Sequence, residues 1–105
     1  MAVEIRAGIN KPYATFINEA KQGLKDKGMI ELHGLGDSIT NVIKVGDMLS
    51  SQGYADLTSF HTLTLDENRE GKTWSKPKVI ISLKRSATFD KAYNEYESRR
   101  SARNN

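Results

Sequence analysis

The side chains best able to do covalent or acid–base chemistry are few in this 105-residue chain, which has two histidines and no cysteine. Gly36-Asp37-Ser38-Ile39 is close to the Gly-Asp-Ser-Leu block of a class of serine hydrolases. A nucleophilic serine needs a histidine base, usually oriented by a carboxylate. In those enzymes the base sits late in a longer chain, in an Asp-x-x-His arrangement. Here the histidines are His33 and His61, and Thr58 stands three residues before His61. Asp37 and Ser38 read better as helix caps, with Ser38 accepting a backbone N–H. No enzymatic activity is expected.

The lack of cysteine excludes disulfides, zinc–thiolate sites and cysteine nucleophiles. Two histidines without clustered carboxylates do not make a metal site, and His33 and His61 read as strand-surface residues. Gly34-Leu35-Gly36 lacks the third glycine of a dinucleotide fingerprint and the Gly-Lys-Ser/Thr ending of a P-loop. An anion-facing helix N-terminus stays open there, although Asp37 would repel phosphate. No cofactor and no metal are expected.

Two segments are equipped for phosphates. At Asn10-Lys11-Pro12-Tyr13, a lysine, an amide side chain and the free N–H groups of a helix start come together; a solvated loop lysine is the competing account of Lys11. The second segment runs from Asn68 to Lys78. Between Arg69 and Lys78 it holds four cations (Arg69, Lys72, Lys76, Lys78) against Glu70, with the only tryptophan, Trp74, among them. A basic hairpin can reach along a groove, and an exposed aromatic offers a stacking surface for unpaired bases. Packing of Trp74 onto its own sheet or a partner subunit is the alternative.

The charge of the whole chain supports this placement. The net charge is +3, but residues 1–67 hold six Lys/Arg against nine Asp/Glu, and residues 68–105 hold ten against four. Clustered cations gain most by displacing counterions from a phosphate backbone; a solvated basic face is the bland alternative. Arg99, Arg100 and Arg103 add to it, or complement a helix C-terminus.

These segments must be positioned by a small fold. Val3, Ile5 and Ala7 alternate, giving a short strand. Pro12 can open a helix whose stripe is Tyr13, Phe16, Ile17, Ala20 and Leu24, with Lys21, Gln22, Lys25 and Asp26 largely off it and Gly28 as its C-cap. Met29 to His33 reads as a second strand. A second helix carries Ile39, Val42, Ile43, Gly46 and Leu49 on one face and is closed by Gly53. Asp56 to Leu65 reads as a long strand, Asp66 to Pro77 as a polar hairpin tip, and Lys78 to Lys84 as a fourth strand. Ser86 to Arg100 is a candidate final helix with Phe89, Ala92, Tyr93 and Tyr96 on its apolar side. The expected class is α+β, a two-layer β-α-β-α-β-β sandwich with two helices on one face of a four-stranded sheet. Residues 1–100 are read as a single domain and 101–105 as a disordered tail. In Val79-Ile80-Ile81-Ser82-Leu83 both strand faces are apolar, so Ile80 and Phe60 are expected to face a second subunit. No segment approaches the roughly 20 apolar residues of a membrane span, and Met1 to Arg6 shows no leader pattern.

Glu4-Ile5-Arg6, Asn10-Lys11-Pro12-Tyr13, the run from Ile30 to Ile39 (Ile-Glu-Leu-His-Gly-Leu-Gly-Asp-Ser-Ile) and Lys78-Val79-Ile80-Ile81-Ser82-Leu83-Lys84 together resemble the Alba family, especially its eukaryotic branch. The resemblance covers roughly Val3 to Tyr93. Its most specific parts are the Lys-Pro turn and the Leu-Gly-x-x-Ile turn. It implies a dimer that binds DNA or RNA without cleaving it, with the first-helix turn on the backbone and the hairpins extended as arms. Lys11 matches the lysine of the family's Lys-Pro motif, and Asn10 stands where archaeal members often carry a second lysine. Where those members carry Arg-Gly-Arg before the second helix, this chain has Leu35-Gly36-Asp37. The two departures favour RNA, or mixed binding, over duplex packaging. Eukaryotic relatives include RNA-binding translational regulators, subunits of ribonuclease P and its relative, and plant nuclear proteins. The resemblance thus implies a homodimer, or a heterodimer with another Alba-like chain, in cytoplasm or nucleus. A scaffold subunit of a ribonuclease P-like particle with little direct nucleic-acid binding is the alternative.

Overall fold

The computed structural model describes residues 2–8 and 11–103. Its elements are β1 (Val3–Arg6), α1 (Tyr13–Lys27), β2 (Met29–Leu35), α2 (Ile39–Ser51), β3 (Ala55–Arg69), β4 (Lys72–Arg85) and α3 (Phe89–Arg103), with a 3-10 turn at Gly36–Ser38. The strands lie in the order β1-β2-β4-β3, parallel between β1 and β2 and antiparallel elsewhere. This is the expected α+β arrangement, with the C-terminal helix present and reaching Arg103 rather than Arg100. Asn104 and Asn105 lie outside the described residues.

The core sits on one side of the sheet. Ile5, Ile30, Leu32, Val79, Ile81 and Leu83 alternate along their strands and are buried against Phe16, Ala20 and Leu24 of α1 and Val42, Val45 and Leu49 of α2. Glycine lets the layers approach. A Cβ on Gly34 would stand 2.6 Å from Val42 Cγ2, and one on Gly23 2.8 Å from Ile30 Cγ2. Gly34 is therefore a packing residue, where α2 crosses β2, whereas Gly36, the glycine of the Leu-Gly-x-x-Ile turn, has open space around it and a φ of 56°. Gly28 ends α1 as expected, in the left-handed region at φ 78° with its N–H on the Leu24 carbonyl.

Three local expectations change. Tyr13, at the first turn of α1, is exposed rather than part of the apolar stripe. Lys21, expected off the stripe, is buried: α3 covers it, placing its Nζ 3.7 Å from the Tyr96 ring centroid and 4.6 Å from that of Tyr54. Burial, aided by the charge of Arg99, holds the Lys21 ammonium below its ordinary value. Ser38 occupies the N-cap position of α2 but does not bond into the helix. Its hydroxyl accepts the Leu35 N–H at 3.0 Å and donates to the Leu35 carbonyl at 2.9 Å, closing the turn behind it.

The largest difference is the hairpin. Asp66 to Pro77, expected as a loop, is almost entirely strand, because β3 and β4 pair continuously out to Arg69 and Lys72. The turn is only Glu70-Gly71, with φ of 53° and 77°. Positive φ at both central residues is the type I′ geometry whose twist suits two long antiparallel strands. Pro77 lies just beyond the last β2–β4 pair, Leu35 with Lys78, where β4 has become an edge strand that tolerates a missing N–H. The arm lengthens the molecule to 57 × 30 × 21 Å and its radius of gyration to 15.6 Å, against about 13 Å for a compact domain of this size.

Candidate nucleic-acid interface

The two-residue turn fixes which side chains share a face. Odd positions on β3 pair with even ones on β4: Arg69 with Lys72, Glu67 with Trp74, Leu65 with Lys76, Leu63 with Lys78 and His61 with Ile80. Paired residues in an antiparallel ladder point to the same side. Lys78 also pairs with Leu35 and Ile80 with His33, on the side of the sheet away from the buried residues. All four arm cations, Arg69, Lys72, Lys76 and Lys78, therefore lie on the open face, with Trp74, Leu63 and Leu65 between them. The opposite face of the arm holds Thr62, Thr64, Asp66 and Asn68 against Thr73, Ser75 and Pro77, and carries no cation.

Lys72 and Lys76 make no ion pair among the described residues, whereas Arg69 bonds Glu67 across 2.7 Å on the same face. Trp74 is 48% exposed. It is neither core nor stacked on another ring among the described residues.

The first-helix turn is placed differently. Asn10 lies outside the described residues. Lys11 Nζ donates to the Arg6 carbonyl at 2.9 Å and to Glu19 Oε2 at 3.0 Å, so its charge is matched within the fold. Tyr13 is exposed nearby. Arg6 links the two regions: its carbonyl receives Lys11, and it lines a cleft at the root of the arm. That cleft, of about 270 Å³, is lined by Arg6, Ala7, His33, Gly34, Leu35, Leu65 and Lys78. Arg6 was not singled out from sequence. The available signal was the Glu4/Arg6 alternation against Val3 and Ile5, which puts both on the polar face of β1.

The open face also gathers groups that sequence spacing kept apart. His33 is buried between two carboxylates, its Nε2 3.2 Å from Glu31 Oε1 and its Nδ1 3.6 Å from Glu4 Oε1. The expectation that no carboxylates cluster at a histidine is thus corrected, because parallel β1–β2 pairing sets Glu4 beside Glu31 and Arg6 beside His33. Arg6 Nε already bonds Glu4 Oε1 at 2.7 Å. That bond, with His33, Arg6 and Lys78 as neighbouring charges, holds the Glu4 carboxyl below its ordinary value. Glu4 here orients Arg6, and its ligand atom lies within 4.8 Å of those of Glu31 and His33.

Phe60 and Ile80, expected in one interface, lie on opposite faces. Phe60 pairs with Ile81, so it belongs to the helix side of β3, while Ile80 is half-buried on the open side. The turn parity decides this. Phe60 has exposed Leu57 as a companion on the helix side of β3, and α2, packed on the same side, exposes Ile43. No helix among the described residues is long and apolar enough to cross a membrane.

Comparisons agree with this architecture. No family model matches the sequence. An uncharacterized protein of Arabidopsis thaliana is 32% identical over 82 residues, which cover 76% of this chain and 63% of that protein; the match thus spans less than two thirds of its relative's length. Among solved structures, ALBA1 from Trypanosoma brucei superposes with a TM-score of 0.81 at 22% identity, covering 99% of this chain and 87% of its own. Alba from Thermoplasma volcanium superposes with a TM-score of 0.67 at 18% identity, covering 78% of this chain and 99% of its own. In element order, strand order and hairpin arm, this chain has the Alba fold.

Proposed function

We propose that this chain is a non-catalytic member of the Alba family that binds RNA or DNA, its phosphates tracked by Arg69, Lys72, Lys76 and Lys78. The observation that carries the reading is the segregation of every arm cation onto one face of the hairpin, interleaved with an exposed tryptophan. A strand places alternate residues about 6.8 Å apart, so Lys72, Trp74, Lys76 and Lys78 offer charge or stacking at intervals suited to successive nucleotides. The fold shared with the Alba structures supports the reading. Lys11 contributes less than the motif implies, since Glu19 already matches its charge.

The functional unit is a dimer, homodimeric or with another Alba-like chain, working in the cytoplasm or nucleus. Exposed Phe60, Leu57 and Ile43 supply apolar surface for the partner. Such surface is costly to leave in water on a domain this small.

Titration of a labelled oligonucleotide over a salt series tests the reading. With single strands, Arg69→Ala/Lys72→Ala/Lys76→Ala is expected to lower the slope of log K against log salt by about 2, while Lys11→Ala changes it little. Absence of salt-dependent binding by the unaltered chain would leave the scaffold role in its place.

A further inference from the structure

We infer that the cleft at the root of the arm receives one unpaired nucleobase of a single-stranded nucleic acid; this rests on the arm binding phosphates as proposed above. The cleft opens on the same face as the arm cations and continues their line inward, because Lys78 belongs to both. Its walls combine two exposed leucines, Leu35 and Leu65, with the buried His33. Its lining is thus largely apolar. The cationic groups sit at its rim: Lys78, which makes no ion pair among the described residues, and the Arg6 guanidinium, oriented by Glu4.

Size and charge together select the occupant. At about 270 Å³ the cleft falls just below the range of roughly 300–1,000 Å³ typical of small-ligand sites, room for a single base rather than for a larger cofactor. An apolar slot rimmed by cations matches a nucleotide, whose base is apolar on its faces and whose flanking phosphates are anionic. An acidic peptide would satisfy the rim but leave the slot unfilled. A base stacked within a duplex cannot enter, so the cleft selects unpaired strands. Trp74 stands four residues from Lys78 on the same strand, about 14 Å away, and provides a second stacking surface farther out on the same track.

The test uses the full chain, a labelled seven-residue uridine oligonucleotide, and the same oligonucleotide with its three central bases removed, so that phosphates are unchanged. The intact strand is expected to bind about tenfold more tightly than the abasic one, as stacking of one base implies. Leu35→Ser/Leu65→Ser, at exposed positions, is expected to abolish most of that difference while leaving the salt slope intact. Trp74→Ala separates the two surfaces. The inference is overturned if intact and abasic strands bind the unaltered chain equally, or if Trp74→Ala alone removes the base preference and the leucine variant keeps it. In both cases salt-dependent binding of the abasic strand would leave the arm reading standing. If neither strand shows salt-dependent binding, both readings fall. Uridine monophosphate binding as tightly as the strand would overturn it too, by making the cleft a mononucleotide site.

Discussion

Moving two lysines from one face of the arm to the other, with no change in composition or net charge, separates a directional interface from a merely basic protein. The exchange Lys72→Thr with Thr73→Lys and Lys76→Ser with Ser75→Lys does this, because adjacent strand residues point to opposite faces. The new lysine at 75 would stand beside Asp66, which now accepts a hydrogen bond from Ser75 at 2.7 Å, so its charge would be partly matched. All four positions are exposed, and stability is expected to change by no more than about 0.5 kcal/mol. Each lost phosphate contact lowers the salt slope by roughly 0.7 on a single strand, so two lost contacts lower it by about 1.4. Between 50 and 200 mM salt, the exchanged variant should then lose about sevenfold less affinity than the parent does, starting from weaker binding. Fluorescence anisotropy with a labelled oligonucleotide at three or more salt concentrations measures this directly. A slope equal to the parent's would refute the one-face argument, since total charge would then be all that matters.

Three other outcomes follow from the packing. Gly34→Ala should destabilise the chain by about 1–3 kcal/mol in urea unfolding, because the added methyl meets Val42 at 2.6 Å and backbone atoms of Ser38 and Ile39 at 3.1 and 3.2 Å. Phe60→Asp should shift the sedimentation of the chain toward monomer, whereas Ile80→Thr, on the opposite face, should not. Stability should rise as pH climbs through the depressed value of Lys21 toward 10.5, where the unfolded chain holds the extra proton. From 10.0 upward Tyr54 opposes this rise, since burial raises its hydroxyl and the folded state keeps that proton, and above 10.5 the Tyr54 contribution alone remains and stability falls. In Lys21→Met the rising limb should flatten while the falling limb stays, as read from urea midpoints across that range.

The amino-acid sequence by itself determined the element order, the helix stripes Phe16/Ala20/Leu24 and Val42/Leu49, the C-cap at Gly28 and the apolar alternation of β2 and β4. These are local periodicities set by burial of one face, and they are visible wherever a core exists to enforce them. The arm was not legible as strand, because neither of its faces is buried. Asp66 to Pro77 is polar throughout, and only pairing with the facing strand holds it extended. The gathering of Arg69, Lys72, Lys76 and Lys78 in one basic stretch was visible in the sequence, but their common face was not. That depends on the two-residue turn at Glu70-Gly71, which sets the register and hence the parity of every pair, and which separates Phe60 from Ile80. The placement of Arg6, His33, Leu35 and Leu65 around one cleft, and of Lys21 beneath α3, arises from contacts between elements far apart in the chain. Tertiary structure alone decides those, because strand order and helix docking are set by packing rather than by any local pattern.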